Sequence, residues 1–125
     1  MDKSCPFCKV ESEREIIASS NLSLAFYDGF PVSPGHTLII PRRHVASFFE
    51  LTEEERLDLL KLVDKVRQVL EDSYHPDGFN IGINVGEAAG QSIFHVHVHI
   101  IPRYFGDVSN PRGGVRGVIP LKQNY

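Results

Sequence analysis

The sequence predicts an α+β fold, an antiparallel sheet of short strands carrying one long helix. Three observations support this. One stretch, from Thr52 to about His75, sustains a helical period. Several short apolar runs, bounded by Gly, Pro, Ser and Asn, have strand length. These runs follow one another as a meander that the helix interrupts once.

Ile16-Ile17-Ala18 and Leu22-Ser23-Leu24-Ala25-Phe26 flank Ser19-Ser20-Asn21 and read as a hairpin. Phe30 to Gly35 holds two prolines that lack a ladder donor, so it reads as a loop. Thr37 to Ile40 reads as a buried strand stopped by Pro41. Thr52-Glu53-Glu54-Glu55 is a capping box, with a hydroxyl at the N-cap and a carboxylate three residues on. Behind it Leu59, Leu62, Val63, Val66, Val69 and Leu70 recur at helical spacing, giving an amphipathic helix of about five or six turns that ends near His75-Pro76-Asp77-Gly78. Phe79 to Val85 alternates with period two, its odd positions all apolar. Gly86 to Gly90 is a loop. Phe94 to Ile101 alternates again, with Pro102 as its expected stop.

The length favours a single domain over residues 1–125, with a core of 1–105 and an irregular C-terminal segment of 106–125. A composition 42% hydrophobic and 23% charged is that of a globular chain. The formal net charge of −3 supplies no global basic field, so a nucleic-acid partner is not expected, while a local basic cluster for a small phosphate stays open. No apolar run has the length of a membrane span, and Met1 to Cys5 holds no apolar signal core. The expected setting is cytoplasmic, with no membrane partner.

His95-Val96-His97-Val98-His99-Ile100-Ile101 is the most informative stretch. Period-two geometry puts the three histidines on one face and the aliphatic residues on the other. Two chemistries suit such a row. One is a metal site. Same-face neighbours lie about 6.5 to 7 Å apart, whereas metal ligands converge within about 2.1 Å of one ion, so a straight strand serves all three poorly. The other is phosphate chemistry. A neutral imidazole can attack phosphorus to form a covalent nucleotidyl intermediate that water then cleaves, and neighbouring groups supply donors to the phosphate oxygens. This second reading is favoured for His97 and His99.

With its apolar spacers, His95-x-His97-x-His99 resembles the signature of the histidine triad (HIT) family. The likeness extends through Asn84, Gly90-Gln91-Ser92-Ile93, Ser33-Pro34-Gly35-His36 and Asp28, and covers most of residues 5–104 in order and spacing. Pro102-Arg103 after the triad looks like the branch that handles dinucleoside polyphosphates, the fragile histidine triad proteins. The N-terminus is similar to that of zinc-bearing bacterial members. The resemblance implies a HIT-like fold, with an antiparallel five-stranded sheet, one long amphipathic helix and a short helical turn. It also implies a homodimer whose sheets join side by side. His97 would be the nucleophile on the α-phosphorus. His99 and His36 would contact phosphate oxygens and assist the leaving group, with Ser92 and Gln91 holding the phosphates and Gly90 and Ile93 completing that loop. Asp28 would accept from the ribose hydroxyls, Asn84 would sit beside the phosphate loop, and Ile16, Leu24, Phe26 and Ile39 are candidates for the base pocket. The expected substrate is a nucleotide, an adenine nucleotide first.

Cys5-Pro6-Phe7-Cys8 admits two readings. The C-P-x-C pattern occurs in glutaredoxin-like redox proteins, but those place it after a strand, and residue 5 leaves no room for one. A Cys-x-x-Cys knuckle is also half of a zinc site. His44 and His95 are candidates for the other half, and the resemblance to the zinc-bearing members points to them. His75, the spare histidine, lies at a helix end, where a charge role suits it better. Such a zinc would be structural, because four protein ligands leave no open position, and its removal is expected to leave the chemistry intact. In the C-terminal segment Arg112 and Arg116 lie among three glycines, and with Arg103 nearby they are expected to hold a polyphosphate or second nucleotide.

The function these features predict is cleavage at the α-phosphate of a nucleoside phosphate, a dinucleoside polyphosphate or an AMP ester or amidate. The enzyme would be a hydrolase or nucleotidyl transferase working through a nucleotidyl-His97 intermediate. The competing readings are a slow-turnover nucleotide-binding interaction module and a zinc-dependent regulatory protein.

Overall fold

The computed structural model describes residues 4–125; Met1 to Lys3, part of the stretch searched for a signal core, lie outside the described residues. Five strands form one antiparallel sheet: β1 (Ala18–Ser19), β2 (Ser23–Tyr27), β3 (Thr37–Pro41), β4 (Gly78–Ile83) and β5 (Val98–Arg103), in the order β1-β2-β3-β5-β4. A short helix, α1 (Val10–Glu13), precedes β1, and the long helix α2 (Glu53–Tyr74) links β3 to β4. Among the described residues no helix is long and apolar enough to cross a membrane.

The capping box forms as expected. Thr52 Oγ1 accepts the Glu55 N–H at 3.1 Å and Glu55 Oε1 accepts the Thr52 N–H at 2.9 Å. At the other end His75 takes the left-handed conformation, φ 51°, as the C-cap. The stripe Leu59, Leu62, Val66 and Leu70 is buried against one face of the sheet, with Ala25, Ile39, Val98 and Ile100 beneath it. α2 lies over β1, β2 and β3.

Strand alternation sends Leu24, Phe26, Leu38 and Ile40 to the opposite face, where they pack with Cys5, Phe7 and Val10. Register decides which histidine joins them. Leu38 pairs with both Phe26 and His99, so His99 projects from this second face. Ile39 pairs with Val98 and belongs to the helix side, so it is core and does not face the histidine side, while its neighbour Leu38 does.

Two strand limits differ from the sequence reading. β5 begins at Val98, not Phe94, because Val96 N–H donates to Val45 O, in a loop, and not to a neighbouring strand. Side-chain alternation nevertheless persists: Val96 is buried under α2 while His95 and His97 turn away. Pro102 lies within β5 and does not stop it. Its carbonyl accepts Ser33 Oγ at 2.7 Å on the side where β3 has already ended at Thr37, so the missing N–H costs no ladder bond. The C-terminal segment is irregular but folded on itself, with 3-10 turns at Gly114–Val118 and Pro120–Lys122.

Candidate active site and candidate metal centre

Beside β5, on the face away from α2, lies a cavity of about 390 Å³ lined by His97, His99, Ser92, Asn84, Asp28 and Phe7 among others. That volume falls within the range of small-molecule sites. Gly90 and Ile93 also line it. Gly86 and Gly90, both at positive φ, turn the loop after β4 so that Ser92 and Ile93 face inward. Gln91 is buried and acts behind this loop. Its carbonyl oxygen accepts Gly86 N–H at 2.9 Å and its amide donates to Ala46 O and Ile93 O. Both ends of the side chain are thus engaged in shaping the loop.

Hydrogen bonds assign the imidazole tautomers. Val32 N–H donates to His36 Nδ1 at 3.1 Å, so the His36 proton sits on Nε2. That Nε2 lies 3.0 Å from His99 Nδ1 and 3.4 Å from Asp28 Oδ2. His99 Nδ1 therefore accepts, and the proton of His99 is on its own Nε2. His97 Nδ1–H donates to the His95 carbonyl at 2.8 Å, which leaves Nε2 as the lone-pair nitrogen. Burial, reinforced by His97 and His36, pushes His99 down to about 4. Burial also lowers His36, against the pull of Asp28. At neutral pH both therefore act as neutral N–H donors. Asp28 Oδ1 accepts Phe30 N–H at 2.9 Å, fixing the turn after β2.

A second cluster lies behind the first. His95 Nδ1 is 3.6 Å from Cys5 Sγ, 3.6 Å from Cys8 Sγ and 3.2 Å from His44 Nδ1, and Cys8 Sγ is 3.3 Å from His44 Nδ1. These four donor atoms form a group able to hold a metal ion. His95 Nε2–H donates to Pro41 O at 2.8 Å, which turns the lone pair of Nδ1 toward the thiols. Donor atoms of Asp28, His36 and His99 also cluster. There the direct His36–His99 bond occupies both facing nitrogens, as in a proton-sharing chain.

The sequence reading thus divides. His36, His97, His99, Ser92, Asn84, Asp28, Gly90 and Ile93 are brought to one place, and Cys5, Cys8, His44 and His95 to another. Arg112 and Arg116 are not among the cavity's lining. Their guanidiniums sit over Tyr125, at 4.6 and 4.9 Å from the ring centre, and Arg116 donates to Gln123 O and Lys122 O. Arg103 is held by Asp107 and Asn80. A separate cavity of about 500 Å³ between β4, β5 and this tail contains no histidine. The cation that does line the histidine cavity, Arg14, escaped the sequence reading, as did Phe7 and Phe30. Arg14 sits in a charged run whose spacing carries no signal. Its position depends on its Nη1 donating to Tyr27 O.

Comparison with known proteins finds relatives of one family. The HIT domain family model matches residues 9–106. The asymmetrical bis(5'-nucleosyl)-tetraphosphatase of Schizosaccharomyces pombe is 43% identical over 109 residues, 87% of this chain and 60% of that protein. An adenosine 5'-monophosphoramidase of the same organism is 42% identical over 103 residues, 80% of this chain and 74% of that protein. The crystal structure of a Zn-bound histidine triad family protein from Mycobacterium smegmatis superposes with a TM-score of 0.77 at 32% identity, covering 86% of this chain and 80% of the other.

Proposed function

The chain belongs to the HIT domain family, and from that premise we propose that it is a nucleotide hydrolase or nucleotidyl transferase acting at the α-phosphate through a covalent nucleotidyl-His97 intermediate. One observation carries the reading: the Nδ1–H of His97 is bound to the His95 carbonyl, so the lone pair of Nε2 belongs to a side chain that lines the cavity. In the first step Nε2 attacks phosphorus, a P–N bond forms, and the P–O or P–N bond to the leaving group breaks with its electron pair, the departing amine of an amidate taking a proton from solvent. The His95 carbonyl steadies the positive charge on the ring. His99 offers its Nε2–H to a phosphate oxygen, with His36 and Asp28 behind it, and Ser92 and the Gly90–Ile93 loop supply further donors. In the second step water attacks phosphorus and the P–N bond breaks. One proton passes to solvent, and the nucleoside monophosphate and neutral His97 are released.

Asp28 keeps lone pairs for the ribose diol, Asn84 flanks the phosphates, and Leu38 and Ile16, backed by the buried Phe26, supply the apolar surroundings of the base. Relatives named for dinucleoside tetraphosphate cleavage and for AMP phosphoramidate cleavage support both substrate classes, with adenine nucleotides first. We read the chain as one HIT domain, core 1–105 with a docked 106–125 segment, working in the cytoplasm as a homodimer.

For the metal centre the reading is structural zinc on Cys5, Cys8, His44 and His95. A tetrahedron with zinc bond lengths has N···N edges of about 3.3 Å and S···N edges of about 3.6 Å. The donor separations of 3.2 Å and 3.3–3.6 Å match it. Bound zinc would tie the N-terminal knuckle to the β3–α2 loop and to His95, with no open position for substrate.

The test is a panel of dinucleoside polyphosphates and AMP amidates, with released monophosphate as the readout. His97→Ala is expected to lose on the order of 10⁴ to 10⁶ in rate while still binding nucleotide. If wild type binds nucleotide but releases no monophosphate from any member, the protein is the slow-turnover binding module. If His97→Ala keeps more than about a tenth of the activity, the covalent route is wrong.

A further inference from the structure

The metal knuckle abuts the nucleophile. A 3-10 turn over Pro6–Lys9 sets Cys5 and Cys8 on one side and buries Phe7 between them, 6% exposed. The Phe7 ring meets the His97 ring edge to face, with centroids 5.1 Å apart and planes at 80°. It is backed by Phe26 at 5.5 Å and reaches His95 at 6.2 Å. His97 also meets the His99 ring, centroids 5.2 Å apart, and its Nδ1–H bonds to the carbonyl of His95, whose ring is itself one of the four candidate metal donors. Two of these three contacts on the His97 ring therefore come from the candidate metal group or from the two-residue turn inside it.

We propose that the knuckle is the positioning device for the nucleophile, with Phe7 as a positioning residue that transmits the metal-loaded geometry to His97. This rests on the reading of His97 as nucleophile. The ion takes no part in making or breaking bonds. Its ligation fixes Phe7 and the His95 main chain, and these hold His97 in the Nδ1–H tautomer and in one orientation. A reaction whose chemistry needs no metal is then still sensitive to it through geometry, contrary to the expectation drawn from ligand count alone. Small displacements are costly, since about 1 Å at a reacting centre can remove about 100-fold in rate.

The experiment uses the full chain as wild type, Phe7→Leu, His97→Ala and Val66→Ala, each zinc-loaded, chelator-stripped and reloaded with zinc chloride. Val66→Ala is a control for lost stability in the helix-side core. The readouts are kcat and KM on an AMP ester, nucleotide Kd, circular dichroism, and the His97 tautomer by long-range 1H–15N NMR at fixed neutral pH. Stripping wild type should lower kcat about 10- to 100-fold with little change in Kd, and reloading should restore it. Zinc-loaded Phe7→Leu should show a loss of the same order, and stripping it should add little, because the two changes act through one path. Val66→Ala should lower the melting temperature and keep kcat. In the NMR spectrum, stripped wild type and Phe7→Leu should lose the single Nδ1–H form. Unchanged kcat in stripped wild type, independent losses that multiply in stripped Phe7→Leu, or a His97 tautomer indifferent to zinc overturns the proposal. If stripped wild type unfolds, the zinc-loaded Phe7→Leu protein decides by itself: full kcat overturns it. An active His97→Ala would instead overturn the nucleophile reading, whereas an inactive one with silent stripping removes only the positioning role.

Discussion

At the scale of single residues, the three histidines of one short stretch do three different things. His95 turns its Nδ1 to the thiols, His97 exposes a lone pair to the cavity, and His99 offers an N–H. The same type of side chain is sorted by what each second nitrogen meets: the carbonyls of Pro41 and His95, and the Nε2–H of His36. This has a consequence for pH. His99 is held down to about 4 and His36 is lowered, both by burial first, so each takes up a proton more readily when the chain is unfolded. Their contribution to stability is complete above the unfolded value of about 6.5 and is lost as pH falls toward the folded value. The melting temperature should therefore decline between about pH 6.5 and pH 4. His99→Gln, measured over the same series, should flatten part of that decline. A variant as steep as wild type would show that other groups are responsible.

At the scale of elements, the N-terminus of α2 does more than start a helix. Glu55 closes the capping box and also takes a two-pronged contact from Arg43, Nη2–Oε1 2.7 Å and Nε–Oε2 3.0 Å. Arg43 adjoins His44, so a local capping signal also anchors the loop that carries a candidate metal ligand. Arg43 is half-exposed, so its ion pair by itself is worth little. Thr52→Ala is expected to cost about 1 kcal/mol as a lost cap. Glu55→Ala removes its half of the box together with the loop anchor, so it should cost more than Thr52→Ala in urea unfolding and should also weaken zinc retention. Equal costs with unchanged zinc content would make Glu55 a cap only. The element limits that sequence misjudged share one cause: β5 starts late and runs through Pro102 because hydrogen-bond partners, not side-chain period, define a strand.

At the scale of the whole molecule, one edge of the sheet stands out. β4 is the terminal strand, α2 lies chiefly over the other side of the sheet, and Ile81 on β4 remains 50% exposed. An apolar edge strand of this kind invites pairing with a second copy, which supports the proposed homodimer. Ile81→Lys should shift the protein toward monomer in light scattering while α2 and the metal centre persist; an unchanged mass would place the dimer contact elsewhere. The tail is the second open matter at this scale. Arg112 and Arg116 lie outside the cavity, stacked on Tyr125. If they reach the distal phosphates of a long substrate, Arg112→Ala and Arg116→Ala should each raise KM for a dinucleoside tetraphosphate by the equivalent of about 1 to 3 kcal/mol and leave KM for an AMP ester nearly unchanged. Equal effects on both substrates, or none, would make the tail a structural segment.

Periodicity and local spacing sufficed for the fold class, the long helix and its cap, and the residue types of both candidate sites. His95-x-His97-x-His99 and Cys5-x-x-Cys8 each lie within a few residues of chain, so both were legible there as candidate groups. The tertiary structure alone decided how those residues divide. Register put His99 with Leu38 and Phe26, and sent Ile39 to the helix side. Contacts across 90 residues brought Cys5 to His95, and Phe7 came to rest on the His97 ring. The direction a histidine nitrogen faces, and so whether it binds a metal, attacks phosphorus or donates a proton, is set by partners distant in sequence. No local pattern of residues carries that information.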